Sequence, residues 1–191
     1  MTEINVNKEY QRKISIKKRA TLKDKNSDAF NTLQDNLKDL KNFKNYKIIA
    51  SFISFKSEIS TQYLNEFLLN NGKTLCLPII KNNFETLNFV EYNLKTKLVS
   101  GKFGIMQPSD ISKEFLPEVI LTPCLAFDEN GFRLGYGGGY YDKTFSYLKK
   151  IKHKFISIAV AFDGQKIDKL VHDKYDQKID YILTEKKLYK V

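Results

Sequence analysis

The chain has 191 residues, 42% of them hydrophobic, which suffices for one domain with a real core and excludes a fibrous or wholly disordered protein. Its formal charge of +10 admits nucleic acid, a small polyanion or a solvated lysine-rich surface, but the lysines are spread along the chain, which disfavours nucleic acid. No apolar run can span a bilayer, "MTEINVNKEYQRK" has no secretory core, and Cys76 and Cys124 read as buried free thiols, so a cytoplasmic protein without a membrane partner is expected.

In chain order, residues 8–24 read as a strongly basic helix. A second helix starts near Ser27, a candidate N-cap, with Phe30, Leu33, Leu37 and Leu40 on one face. "YKIIASFIS" (46–54) reads as a buried strand, and a helix from about Ser60 stops before Gly72. "KTLCLPII" (73–80) is the next strand, so strand, helix and strand form a βαβ unit that implies parallel pairing. Further strands are expected at 87–92, 118–127, 155–162 and 181–184, a turn at "DENG" (128–131), an ordered loop at 100–110 and a helix at 140–150. No repeat or composition break divides the chain. These elements predict a single three-layer α/β domain over 1–191, with a mostly parallel sheet flanked by helices.

Residues 133–144, "RLGYGGGYYDKT", hold four of the nine glycines within five positions. The Walker pattern fails because Asp142 stands where its second glycine belongs, and the dinucleotide pattern fails at Tyr140. The physics of anion binding survives both failures. Glycines let backbone N–H groups converge on an anion, and the loop runs into a helix whose first turn has unpaired donors. Arg133 and Lys143 add charge on either side, and Asp142 beside a polyphosphate makes sense as a Mg²⁺ ligand. The alternative is a plain glycine turn with Tyr140 and Tyr141 packed as core aromatics.

"TPCLAFDENGFRLGYGGGYYDKT" (122–144) closely resembles the signature of the 5-formyltetrahydrofolate cyclo-ligases, with Phe-Asp, Arg-Leu-Gly and Gly-Tyr-Tyr-Asp all in place. The resemblance spans nearly the whole chain. It implies that Lys8 and Arg12, on one face of the first helix, reach ATP phosphates together with Arg133, Leu134, Gly135, Tyr136, Gly137, Gly138, Gly139, Tyr140 and Tyr141. It further implies that Glu58 binds the folate, with Ile53 and Phe55 lining the pterin pocket and Tyr136, Gly137, Gly138, Gly139 and Tyr140 also touching it. On the same resemblance, Arg133 and Lys143 would take the catalytic roles, and Asp142 and Asp176 would hold Mg²⁺. Two departures stand out: Gln107 replaces a usual Glu in "FGIMQP", and Tyr175 replaces a usual His. His172, beside Asp173, reads as a surface histidine.

The activity so implied converts 5-formyltetrahydrofolate to 5,10-methenyltetrahydrofolate while ATP becomes ADP and phosphate. Phosphoryl transfer to the formyl oxygen would activate a poor electrophile, and N10 would then close the ring as phosphate leaves. Such chemistry needs positioning and charge stabilisation rather than a Ser, Cys or His nucleophile, and there is no Cys/His spacing for zinc. The folate could carry a polyglutamate tail, and a monomer is expected. The competing readings are another ATP-dependent enzyme on the same scaffold and a non-enzymatic nucleic-acid-binding relative.

Overall fold

A computed structural model describes residues 3–81, 86–110 and 113–191. Helix α1 spans Glu3–Lys25, and a 3₁₀ turn at Ala29–Thr32 runs into the short α2, Leu33–Leu37. Strand β1 (Ile48–Ala50), α3 (Gln62–Asn70), β2 (Thr74–Ile79) and β3 (Asn88–Tyr92) follow. A hairpin of β4 (Leu98–Ser100) and β5 (Met106–Pro108) precedes β6 (Glu114–Phe115) and β7 (Val119–Pro123). A second hairpin, β8 (Ala126–Phe127) and β9 (Arg133–Leu134), leads through the glycine loop into α4 (Tyr140–Lys150). Strands β10 (Ile156–Val160), β11 (Tyr181–Leu183) and β12 (Leu188–Lys190) end the chain.

Eight strands form one sheet in the order β12-β11-β10-β7-β1-β2-β3-β6. The five central strands are parallel, and the antiparallel β12, β3 and β6 lie towards the edges. Alternation along the central strands sorts the core into two halves. Ile49, Val119, Leu121, Ile158 and Val160 pack with Leu33, Leu37, Leu64 and Leu68 of α2 and α3. Ala50, Ile120 and Ala159 face the other way, against Phe145 and Leu148 of α4. The expected three layers and parallel sheet are therefore present.

Local boundaries differ from the sequence expectation for identifiable reasons. Helix α1 begins at Glu3 rather than 8, with an acidic residue in its first turn where the dipole favours one. The helix expected from Ser27 becomes a 3₁₀ turn plus five α residues, although Leu33, Leu37 and Leu40 are buried as foreseen. The strand expected at 46–54 has only three ladder residues, because α3 takes over the following backbone: the Phe52 carbonyl accepts from Thr61 Oγ1 at 2.6 Å and Asn65 Nδ2 at 3.2 Å. The run at 118–127 splits into β7 and β8 around Cys124. The loop at 100–110 contains one arm of the β4–β5 hairpin. Helix α3 ends with Gly72 at φ +69, and helix α4 starts and stops as expected.

This topology fixes where a ligand can sit. The chain leaves β1 through α3 to β2 on one side, while β7 and then β10 lie on the other. The carboxyl ends of β1 and β7 thus flank a topological switch point, the usual crevice of open α/β sheets. Helix α1 runs across those ends. Lys23 Nζ donates to the Lys56 carbonyl beyond β1, Lys18 Nζ to Lys166 beyond β10, and Leu22 lies against Gly164.

Candidate active site

Helix α1 turns cations inward. Lys8, Arg12, Ser15, Arg19 and Leu22 recur at spacings of four and three, so they form one stripe. Lys8, Ser15 and Arg19 are buried, whereas Val6, Tyr10 and Ile14 face outward. Lys8, Arg12, Arg19 and Leu22 reach different segments of the crevice.

At the amino end, Lys8 Nζ donates to Asp173 Oδ2 at 2.9 Å and to Asp176 Oδ2 at 2.5 Å. Burial works against the Lys8 ammonium, but the two carboxylates outweigh it and hold its pKa above the ordinary lysine value. Asp173 is correspondingly held below the usual carboxylate range, first by Lys8 and then by the Tyr175 N–H. One turn on, Arg12 Nε donates to the Gly135 carbonyl at 3.1 Å. A Cβ on Gly137, where φ is +101°, would come within 3.3 Å of that guanidinium. Only glycine combines this backbone conformation with so close an approach.

The glycine loop is anchored at both ends. Asp128, wholly buried, accepts from the N–H groups of Asn130, Phe132 and Leu170, so the Phe-Asp of the signature fixes the turn that aims β9. Leu134 points into a small cluster with Ala126 and Leu170, so its side chain serves packing. Arg133 Nη1 donates to Asp142 Oδ1 at 2.8 Å, and its guanidinium lies 5.2 Å from the Phe145 ring centre. Gly139, at φ +67°, caps α4. The exposed Gly135, Tyr136, Gly137 and Gly138 lie between these anchors, and Lys143 is exposed one turn into the helix. Tyr141 packs at a tilt on Phe145, as the core-aromatic alternative had it. Tyr140 instead meets the hairpin loop, where Lys102 Nζ donates to its hydroxyl at 2.8 Å and the exposed Phe103 contacts its ring.

Beyond β1, the Glu58 loop is pinned by hydroxyl groups. Ser54 Oγ donates to the Ile59 carbonyl at 2.7 Å and accepts from the Thr61 N–H at 2.9 Å. Glu58 Oε2 accepts from the Phe55 N–H at 2.8 Å, and Oε1 lies 3.5 Å from Arg19 Nη1. Burial raises the Glu58 carboxyl to about 7, against the opposing pull of Arg19 and the Phe55 N–H. Ile53 and Phe55 are half-buried beside it, and the Lys56 ammonium bridges the Phe55 and Tyr136 rings.

Asp142, near the amino end of α4, lies against the segment that carries Asp176. The Gln177 N–H donates to Asp142 Oδ1 at 3.0 Å, so Asp142 abuts the residue that follows Asp176. Both are hard oxygen donors, balanced here by Arg133 and Lys8. Among the described residues, no three His, Cys, Asp or Glu side chains converge as a ready-made cage. A pair of carboxylates suits Mg²⁺, which completes its shell with water and phosphate oxygens. Beside them lies a cleft of about 570 Å³, lined by Phe132, His172, Lys174, Gln177 and Lys178 among others. His172 is exposed and stacks on Phe132 with ring centres 3.7 Å apart.

The structure thus brings Lys8 to Asp176, Arg12 to the glycine loop, Arg133 to Asp142 and Glu58 to within reach of Tyr136 through Arg19. Gln107 folds back against Gly101, and Tyr175 is exposed. The sequence reading missed Arg19, Asp128 and the Ser54–Thr61 clamp. Arg19 was visible in principle as the next members of the stripe, seven residues beyond Arg12 and eleven beyond Lys8.

Comparison with known proteins identifies the family. Residues 4–185 match the family model described as 5-formyltetrahydrofolate cyclo-ligase family. The 5-formyltetrahydrofolate cyclo-ligase of Escherichia coli is 35% identical over 147 residues, covering 74% of this chain and 79% of the relative. That of Mus musculus is 30% identical over 156 residues, covering 75% of each. The NMR structure of Aquifex aeolicus 5,10-methenyltetrahydrofolate synthetase superposes with a TM-score of 0.77 at 29% identity, covering 96% of this chain and 92% of that one. The chain belongs to the 5-formyltetrahydrofolate cyclo-ligase family.

Proposed function

We propose that this enzyme closes 5-formyltetrahydrofolate to 5,10-methenyltetrahydrofolate at the expense of ATP, with the two substrates meeting across the glycine loop. The observation that carries this reading is the position of residues 135–138 between the Arg12 guanidinium and the Arg19–Tyr136 contact of the Glu58 pocket. The triphosphate lies along the amino half of α1, against Lys8, Arg12 and the loop N–H groups that lead into α4. Its nucleoside end extends towards the cleft beside Asp176. The pterin enters beside Glu58, whose carboxylate accepts from ring N–H groups, with Ile53, Phe55, Tyr136 and Tyr140 around it.

The γ-phosphoryl group transfers to the formyl oxygen and releases ADP. N10 then attacks the formyl carbon and loses its proton, and phosphate leaves with the original oxygen. Arg133 and Lys143 stabilise charge on the transferring group, and the loop donors hold it in line with the formyl oxygen. Asp142 and Asp176 are the residues that would hold Mg²⁺, which when bound neutralises phosphate charge. Lys8 and Arg133, which pair with these carboxylates, would then be available to phosphate.

The test is absorbance of the methenyl product with 5-formyltetrahydrofolate, ATP and Mg²⁺. Chromophore formation that requires both ATP and the divalent ion is expected, with one phosphate released per ring closed. Asp142→Asn should raise the Mg²⁺ concentration needed for half-maximal rate. ATP-independent closure, or nucleotide hydrolysis without the chromophore, would overturn the reading.

A further inference from the structure

Arg19 lies outside the set of residues expected to touch either substrate, yet its side chain is almost wholly buried. Taking a guanidinium wholly out of water is costly unless its donors are matched. They are matched by three separate segments. Arg19 Nε donates to Ser57 Oγ at 3.1 Å, Nη1 to the Cys124 carbonyl at 2.9 Å, and Nη2 to the Tyr136 hydroxyl. Nη1 also lies 3.5 Å from Glu58 Oε1. Ser57 and Glu58 follow β1, Cys124 follows β7, and Tyr136 sits in the glycine loop. One side chain therefore ties both strands of the switch point to the loop between them.

We propose that Arg19 is a positioning residue of the folate pocket: it orients the Glu58 carboxylate and the Tyr136 ring, while the nucleotide cations Lys8 and Arg12 stand further along the same helix face. This role rests on the functional reading above.

The surroundings of Glu58 make the role measurable. Arg19 is the cation that faces it from α1. The Cys124 thiol faces it from the end of β7, Tyr136 from the glycine loop and Tyr141 from the start of α4, and each of these is neutral near pH 7 because burial raises its pKa. Its own loop contributes the Phe55 N–H. Without Arg19 the carboxylate would keep only that neutral donor, and it would take up a proton at higher pH.

The experiment is direct binding of 5-formyltetrahydrofolate and, separately, of ATP between pH 6 and 9. It compares the wild type with Arg19→Met, Arg19→Lys, Glu58→Gln and the Arg19→Met/Glu58→Gln double variant. In the wild type, folate affinity should fall as the pH drops through about 7, where Glu58 protonates. Arg19→Met should weaken folate binding about tenfold or more near neutral pH and move that midpoint up by about one pH unit, while ATP affinity changes little. With Glu58→Gln already present, adding Arg19→Met should cost much less, because the two act as a unit. Arg19→Lys should keep the midpoint but lose affinity, since an ammonium cannot reproduce the forked contacts. Full additivity of the double variant, or equal losses for folate and ATP with an unchanged pH midpoint, would reduce Arg19 to packing and overturn the proposal. If Arg19→Met does not fold, Arg19→Lys decides alone, and wild-type folate affinity in that variant refutes it. Failure of the wild type to bind the folate would sink the functional reading instead, a distinct result.

Discussion

Helices α1 and α3 serve the same crevice but are held by opposite kinds of contact. Helix α3 buries Leu64 and Leu68 completely, against Ile49 and Leu75 of the sheet. Helix α1 buries Lys8, Ser15 and Arg19 and leaves Val6, Tyr10 and Ile14 exposed. Apolar burial is non-directional and stabilises in proportion to area. Buried cations gain little net stability, because desolvation offsets most of the attraction, but they demand geometry. The contrast separates scaffold from machinery: α3 holds the sheet together, and α1 holds charge where the proposed function brings the phosphates.

The largest effect should come from breaking the charged helix. Lys8→Ala removes a cation proposed to reach phosphate and leaves Asp173 and Asp176 facing each other. We expect kcat/KM for ATP to fall about 10²-fold, the scale of losing one preorganised charge contact, while the thermal midpoint moves by only a few degrees. A full-activity Lys8→Ala enzyme would show that the inward stripe is structural.

Leu68→Ala is the reverse case. Leu68 is wholly buried, so truncation should cost about 2–5 kcal/mol from lost transfer energy and the cavity left behind. For a chain of this size that corresponds to roughly 5–15 °C in the melting midpoint. Per folded molecule, turnover and both KM values should stay near wild type, because α3 touches the site only through its amino end. Thermal melts and steady-state kinetics on the same preparation separate the two helices; a kinetic defect in Leu68→Ala would erase the distinction.

The same contrast explains what could be read from the sequence. The βαβ unit, the layering and α4 were legible because apolar spacing matched the buried faces of α3, α4 and the strands. The glycine loop was legible because its residues are local in sequence. Helix α1 was legible as a basic helix with Lys8 and Arg12 on one face, but most of its large apolar residues, Val6, Tyr10, Ile14 and Ile16, point to water, so apolar spacing did not mark its buried side. Arg19 was missed for that reason: its partners lie 38, 105 and 117 positions away, and no local pattern encodes them. The end of β1 was misplaced because Thr61 and Asn65 compete for the Phe52 carbonyl, a tertiary decision that strand propensity does not carry. Asp128, prominent in the signature, turned out to hold a turn.

The smallest expected effect lies within α1, whose two ends should answer pH with opposite signs. Asp173 is depressed by Lys8 and by the Tyr175 N–H, so its contribution is complete above the ordinary carboxylate value and is lost as pH falls through the lower folded one. Lys8 is raised, so its share persists until strongly alkaline pH. Glu58 behaves the other way. Its folded value lies near 7, above the ordinary 4.5, so the folded state holds the extra proton and loses stability as pH rises through that window. Acidification from pH 7 to about 3 should therefore loosen the Lys8 end of α1, by about 1 kcal/mol for the partly exposed Asp173 carboxylate, while relieving the buried charge beneath Arg19. Amide hydrogen exchange, corrected for intrinsic rates, should show residues around Lys8 losing protection before those around Arg19, with α3 unchanged. Simultaneous loss along all of α1 would mean that the helix docks as one unit and that the local pairs do not set its stability.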